Sequence, residues 1–141
     1  GVPVVEGYGL SECTVCCTAN PLHGLRKAGS VGRPLPGIDV GVVDGSDTLL
    51  PAGQAGEVVV RGPNVMRGYL GRPEESAQVL RGGWLHTGDV GRFDDDGYLT
   101  LVDRVKDLER LPIAAPAGLV MNPCSGSRMP APDASLENAS T

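Results

Sequence analysis

Aromatic residues are scarce in this chain of 141 residues: one Trp, one Phe and three Tyr. So few rings exclude a large aromatic core. With 21 Gly and 12 Pro, short strands, turns and loops are favoured over a helical bundle. Basic residues are also outnumbered. Twelve Lys and Arg stand against 17 Asp and Glu, a formal net charge of −5. Neutralising a phosphate backbone needs a basic footprint, so no nucleic-acid partner is expected. No apolar run approaches the ~20 residues that span a bilayer, so no transmembrane segment is expected. The opening Gly1-Val2-Pro3-Val4-Val5 has no initiator Met and no basic segment, so no signal peptide is read there. A cytoplasmic setting is expected.

Four cysteines are present, Cys13, Cys16, Cys17 and Cys124. Cys13-x-x-Cys16 has the spacing of a metal or redox pair, but no second pair accompanies it. They are expected to be small, buried, reduced thiols. His23 and His86 stand apart. No nucleophile lies near His86 for it to activate, and it reads as a pocket-wall or surface residue.

What is there is largely β. Val2–Val5 reads as a short entry strand, and residues 13–36 as mostly loop. Residues 38–43 and Gly56-Glu57-Val58-Val59-Val60-Arg61 read as strands, the second being the clearest of the chain. Residues 66–70 are expected to make one helical turn, and Pro73–Leu80 a short helix. Pro73 suits its first position, and Glu74 and Glu75 suit the N-terminal end of its dipole. Gly82-Gly83 ends it. Arg61 and Arg67 read as solvated charges. From Leu111 the composition turns to Pro, Ala, Ser and Gly without any helical or strand period, so residues 108–141 are expected to form a disordered tail.

Two segments near the middle carry more information: Trp84-Leu85-His86-Thr87-Gly88-Asp89 and Asp103-Arg104-Val105-Lys106-Asp107. Between them, Asp94-Asp95-Asp96-Gly97 is a turn signal rather than a calcium loop, which needs spaced ligands and a distal Glu. A two-residue loop at Asp95-Asp96 sets Asp89 against Val102, with Arg104 its diagonal neighbour. A loop at Asp96-Gly97 sets Asp89 directly against Arg104. Either register brings an acceptor for sugar hydroxyls within roughly 5–8 Å of a fixed cation. A three-residue loop would break that parity.

Upstream, Gly7-Tyr8-Gly9-Leu10-Ser11-Glu12 offers glycines for close backbone approach and a ring for stacking. It also carries a hydroxyl for a phosphate oxygen and a carboxylate for a hard cation such as Mg²⁺. Alone, six such residues equally describe a glycine-rich turn.

The order of Gly7–Glu12, Glu57–Tyr69, Trp84–Asp89 and Asp103–Asp107 resembles the adenylate-forming, AMP-binding superfamily, in its fatty acyl-CoA ligase form. The resemblance covers about residues 1–110. It implies a mixed α/β, β-rich fragment. Residues 1–107 would be the end of the large N-terminal domain, including its distorted β-barrel subdomain. It further implies that Gly7 and Tyr8 meet adenine, Ser11 meets phosphate, Glu12 binds Mg²⁺, Asp89 and Arg104 hold the ribose, and Lys106 is the hinge. Ser11 and Glu12 are thereby the expected catalytic pair. The Glu57–Tyr69 stretch is implied to be structural.

The implied reaction joins a carboxylic acid, fatty by preference, to AMP from ATP and then to the thiol of CoA. An adenylation domain that loads a carrier protein is the alternative. Peptide-synthetase domains usually carry Pro at the Leu10 position and Gly-Arg at Asp103-Arg104. No phosphate loop and no lid lysine can be matched here, so the isolated chain is expected to be poorly active, or a nucleotide-binding remnant.

Overall fold

The computed structural model describes residue 2 and residues 4–104. Lys106 and the tail 108–141 lie outside the described residues. Among the described residues the order is β1 (Gly7–Tyr8), a 3-10 turn (Ser11–Cys13), β2 (Thr18–Ala19), β3 (Arg33–Pro34), β4 (Asp39–Val43), β5 (Gly56–Arg61), α1 (Pro73–Val79), β6 (Leu80–Arg81), β7 (Trp84–Phe93) and β8 (Leu99–Arg104). No helix there is long and apolar enough to cross a membrane.

Consecutive valines set the centre. Val58, Val59 and Val60 of β5 are fully buried, so both faces of that strand are covered. β-branched side chains fit a pleated surface, and each buried Val contributes about 1.5–3 kcal/mol. β5 pairs antiparallel with β4 on one edge and β7 on the other. The ten-residue β7 pairs with β5 along one edge; its other edge takes β6 at Trp84 and Leu85 and β8 from Asp89 to Phe93. Val58, Val42 and Leu99 make one core cluster, with Tyr8 and Phe93 against it. Val60, Leu85, Cys13 and Cys17 make a second.

A smaller sheet runs β1-β2-β3. It joins the larger one through residues 30–32. Val31 N–H donates to the Leu99 carbonyl at 2.9 Å, Leu99 N–H to the Gly32 carbonyl at 2.8 Å, and Ser30 Oγ to the Leu99 carbonyl at 2.7 Å. The loop before β3 therefore borders β8 and carries β1 toward β7.

The structure corrects several expectations. No strand forms over the described part of Val2–Val5; β1 begins at Gly7, where β2 supplies partners. Residues 66–70 make no helical turn. Gly82 and Gly83 do not merely end α1. They have φ of 60° and 80° and form the two-residue loop between Arg81 and Trp84, which suits a left-handed hairpin turn. Cys13 and Cys17 are buried as expected, with their sulfurs against each other, and Cys16 is half-buried. His86 is buried, not a surface residue.

The loop from β1 to β2 holds two non-glycine residues in the left-handed region, Thr14 at φ 55° and Val15 at φ 74°. Left-handed backbone costs an L-residue about 1–2 kcal/mol, and glycine's extra chain entropy costs about 0.5–1 kcal/mol. The Val15 side chain is 74% exposed and has little packing to lose. Val15→Gly is therefore expected to stabilise the chain by up to about 1 kcal/mol in urea unfolding. Gly9→Ala should do the reverse, since a methyl there runs into the Val15 carbonyl. A destabilised Val15→Gly would show that this loop is not strained.

Candidate functional site

β7 departs from β5 at one place. Glu57 pairs with Val90 and Val59 with His86, so Thr87, Gly88 and Asp89 together stand opposite Val58 alone. Such a bulge bends the strand and removes residues from the ladder. Gly88 takes φ 73°, which a glycine adopts without cost. Side chains satisfy the backbone that the ladder leaves. Thr87 Oγ1 donates to the Val58 carbonyl at 2.7 Å and accepts from Asp89 N–H at 3.1 Å. Gly88 N–H donates to Glu57 Oε1 at 3.0 Å. The other Glu57 oxygen, Oε2, lies 2.9 Å from His86 Nδ1; a carboxylate can only accept, so the ring donates.

The anchor continues outward. Arg81 makes two 3.0 Å bonds to Asp47 and lies 3.5 Å from Glu57 Oε2. The fork geometry fixes the guanidinium as well as its charge. The Arg81 guanidinium holds the Asp47 carboxyl below its usual range.

Asp89, expelled from the β5 ladder, accepts a 2.6 Å bond from the Tyr8 hydroxyl. Two candidates 81 positions apart in sequence are thereby brought together. Gly7 lies beside Tyr8 in β1, opposite Ala19.

Asp89 and Arg104 stand opposite each other, but not by the route expected from the sequence. Phe93 pairs with Leu99, and Asp94 N–H donates to the Tyr98 carbonyl at 3.0 Å, which leaves Asp95, Asp96 and Gly97 as a three-residue loop. That loop shifts the register to Gly91↔Leu101, which would set Asp89 against Asp103. Val102 is then skipped as a bulge, and beyond it the pairs are Val90↔Asp103 and Asp89↔Arg104. The bulge undoes the shift the loop introduces. Val102 is exposed, so its displacement costs little packing.

Ser11 and Glu12 sit on the 3-10 turn that follows Tyr8; Ser11 is exposed and Glu12 half-buried. Glu12 is tied to the Glu57–Tyr69 stretch twice. Met66 N–H donates to its carbonyl at 2.7 Å, and the Tyr69 hydroxyl donates to Oε1 at 2.9 Å. Asn64 Nδ2 adds a 2.7 Å bond to the Cys13 carbonyl. The stretch expected to be structural thus touches both candidate regions: Glu57 at its start holds the Asp89 bulge, and Tyr69 at its end holds Glu12. Neither residue was singled out from the sequence. The glycine in Thr87-Gly88-Asp89 was the available signal for the bulge. Nothing local announces the Tyr69 contact, which crosses 57 positions.

The acidic turn has its own partner. Lys27 Nζ lies 2.5 Å from Asp94 and 2.6 Å from Asp96. Arg61, exposed as expected, bonds Asp39 at 2.9 Å and stacks 4.4 Å above the Trp84 ring.

Residues 1–70 match the family described as AMP-binding enzyme. Residues 1–70 of this chain belong to that family. The chain is 44% identical over 108 residues to a long-chain-fatty-acid–CoA ligase of Escherichia coli, covering 77% of this chain and 19% of the ligase. It is 47% identical over 109 residues to a feruloyl-CoA synthase of Amycolatopsis, covering 77% of this chain and 22% of the synthase. The structure superposes on ATP-bound MatB of Rhodopseudomonas palustris with a TM-score of 0.71 at 40% identity, over 74% of this chain and 21% of MatB. The expected β-rich fold of an adenylate-forming enzyme is therefore present. The chain spans about a fifth of the length of these relatives.

The Glu12 carboxylate raises the Tyr69 hydroxyl above its ordinary value, chiefly through their hydrogen bond and then through burial. The direction is that of an acid whose neutral form is favoured. One phenol is expected to titrate above the usual tyrosine range when its phenolate absorbance is followed, and Tyr69→Phe should remove that transition. Glu12→Gln should lower it. A transition unmoved by Glu12→Gln would break the assigned contact.

Proposed function

We propose that this chain is the ribose-, base- and metal-facing part of an enzyme that activates a carboxylic acid with ATP and passes the acyl group to CoA. One observation carries this reading: Tyr8 and Asp89 meet in a 2.6 Å hydrogen bond, from two motifs far apart in sequence. Residues 1–107 form the end of the large domain with its distorted β-barrel subdomain, and a cytoplasmic setting, where ATP and CoA are held, suits it.

In this reading the Asp89 carboxylate accepts from the ribose hydroxyls, and Arg104, its partner in the β8 register, also serves the ribose. Tyr8 and Gly7 border the base. Ser11, exposed on its turn, donates to phosphate. These groups fix the nucleotide so that the acid meets the α-phosphorus in line, a positioning effect that leaves bond-making to the reactants. Lys106 serves as the hinge.

Glu12 fits Mg²⁺ by its chemistry. It is a single hard carboxylate whose Oε1 is oriented by Tyr69. No cluster of three His, Cys, Asp or Glu able to hold a metal exists among the described residues. A lone carboxylate suits an ion that takes its remaining ligands from phosphates and water. When bound, Mg²⁺ neutralises phosphate charge.

The relatives' names span a long-chain fatty acid and ferulate. A fatty acid remains the preferred substrate class, on the form of Gly7–Glu12. Leu10 and the Asp103-Arg104 pair favour CoA over a carrier protein as acceptor.

Calorimetric titration with AMP tests the ribose assignment. Asp89→Ala is expected to weaken binding about tenfold or more, the scale of a lost charged hydrogen bond, while Asp95→Ala on the acidic turn should not. Equal effects of the two would remove Asp89 from the role. Pyrophosphate release with ATP, Mg²⁺ and a panel of fatty and aromatic acids tests the reaction. These residues account for about a fifth of the ligase's length. Nucleotide binding with slow or no turnover is therefore expected, and brisk turnover would reject the weakly active reading.

A further inference from the structure

We propose that Glu57 is a positioning residue for sugar recognition: through Gly88 it sets the place of the Asp89 carboxylate. The inference rests on the ribose reading above and deepens it.

Asp89 lies in the one stretch of β7 where three residues face a single residue of β5. In a regular ladder, main-chain bonds to β5 would define where such a residue sits. On the β5 side of this bulge that duty passes to side chains, while on the other side Asp89 keeps its pairing with Arg104 of β8. Thr87 ties the Asp89 N–H inward, and Glu57 Oε1 takes the Gly88 N–H, so of the two peptides before Asp89 one hangs on the Thr87 hydroxyl and the other on a carboxylate oxygen of Glu57. Gly88, at φ 73°, has no side chain of its own to limit its motion. A glycine not held at its N–H would sample several orientations, and the Asp89 carboxylate would then be placed by its β8 pairing, Thr87 and Tyr8 alone.

Glu57 is well suited to the task. Its second oxygen is bonded to buried His86, and Arg81, itself forked onto Asp47, lies on the same oxygen. The carboxylate is thus held from behind while its other oxygen faces the bulge. Preorganisation of this kind lets Asp89 meet two hydroxyls without an ordering cost at binding. The requirement is geometric: an acceptor at the length of a Glu side chain. A carboxamide of the same length supplies one, whereas a carboxylate one methylene shorter does not reach.

The experiment measures binding of AMP and of 2′,3′-dideoxyadenosine monophosphate to the full 141-residue chain by calorimetry. The unaltered chain is expected to prefer AMP about tenfold or more, and Asp89→Ala to lose that preference. Glu57→Ala and Glu57→Asp should lose it too, with binding of the dideoxy nucleotide changed less than about threefold. Glu57→Gln should restore it to within about threefold of the unaltered chain. The double variant Glu57→Ala with Asp89→Ala should discriminate no less than Asp89→Ala alone, because both act on one contact.

Other outcomes overturn the proposal. Equal loss of both nucleotides in Glu57→Ala would mark Glu57 as structural only. Retained preference in Glu57→Asp, with loss in Glu57→Gln, would show that charge and not reach matters. If Glu57→Ala fails to fold, the Asp and Gln variants decide alone. An unaltered chain that does not prefer AMP defeats the ribose reading and this inference with it. An unaltered chain and Asp89→Ala that behave as expected, with Glu57→Ala still selective, defeat only the inference.

Discussion

A single carboxylate bridges the place where the sheet fails to be a sheet. Between Glu57 and Val59, β7 carries three residues against one, and the Gly88 N–H goes to Glu57 Oε1 instead of a strand carbonyl. That bond gives the half-buried Gly88 amide the acceptor the ladder no longer supplies, and a hydrogen bond to a charged group contributes about 1.5–3 kcal/mol. The displaced segment also needs the packing beneath it: β5 cannot shift, because Val58, Val59 and Val60 are buried on both faces. The rigid strand, the carboxylate at its end and the bulge opposite form one unit, and Asp89 projects from it.

The Glu57–Tyr69 stretch connects the two halves of the candidate site. β5 supplies the carboxylate for the bulge, and the loop beyond it returns to the turn that carries Glu12 through Met66 and Tyr69. Tyr8 closes the circuit by bonding Asp89. A family signature assigned to structure therefore has direct contacts on both sides of the site. Residues that hold a reactive group by its second atom matter for orientation even where they touch no substrate.

Much of the fold was legible from local pattern. β5 followed from its valines, and α1 from Pro73 and two acids. The family followed from the order of four motifs. The hairpin shows where such reading stops. Its turn residues were recognised, but Asp-Asp-Asp-Gly permits loops of two or three residues, and the difference moves every later pair. Asp89 and Arg104 ended opposite each other because a three-residue loop and the Val102 bulge offset one another. Two errors of register cancel in the structure, and neither is visible in the residues alone. His86 shows the same limit. It read as a wall or surface residue, yet it lies buried against Glu57, a partner 29 positions away.

The amino-acid sequence by itself determined the longer strand-forming segments, the place of the acidic turn and the chemical kinds available for nucleotide recognition. These depend on side-chain shape, backbone freedom and charge, which are local properties. Tertiary structure alone decided which acceptor meets which donor: Tyr8 with Asp89, Tyr69 with Glu12, Glu57 with Gly88. Each of those bonds spans at least 31 positions and rests on register and bulges. These are settled only when the strands pack and every buried polar group must find a partner.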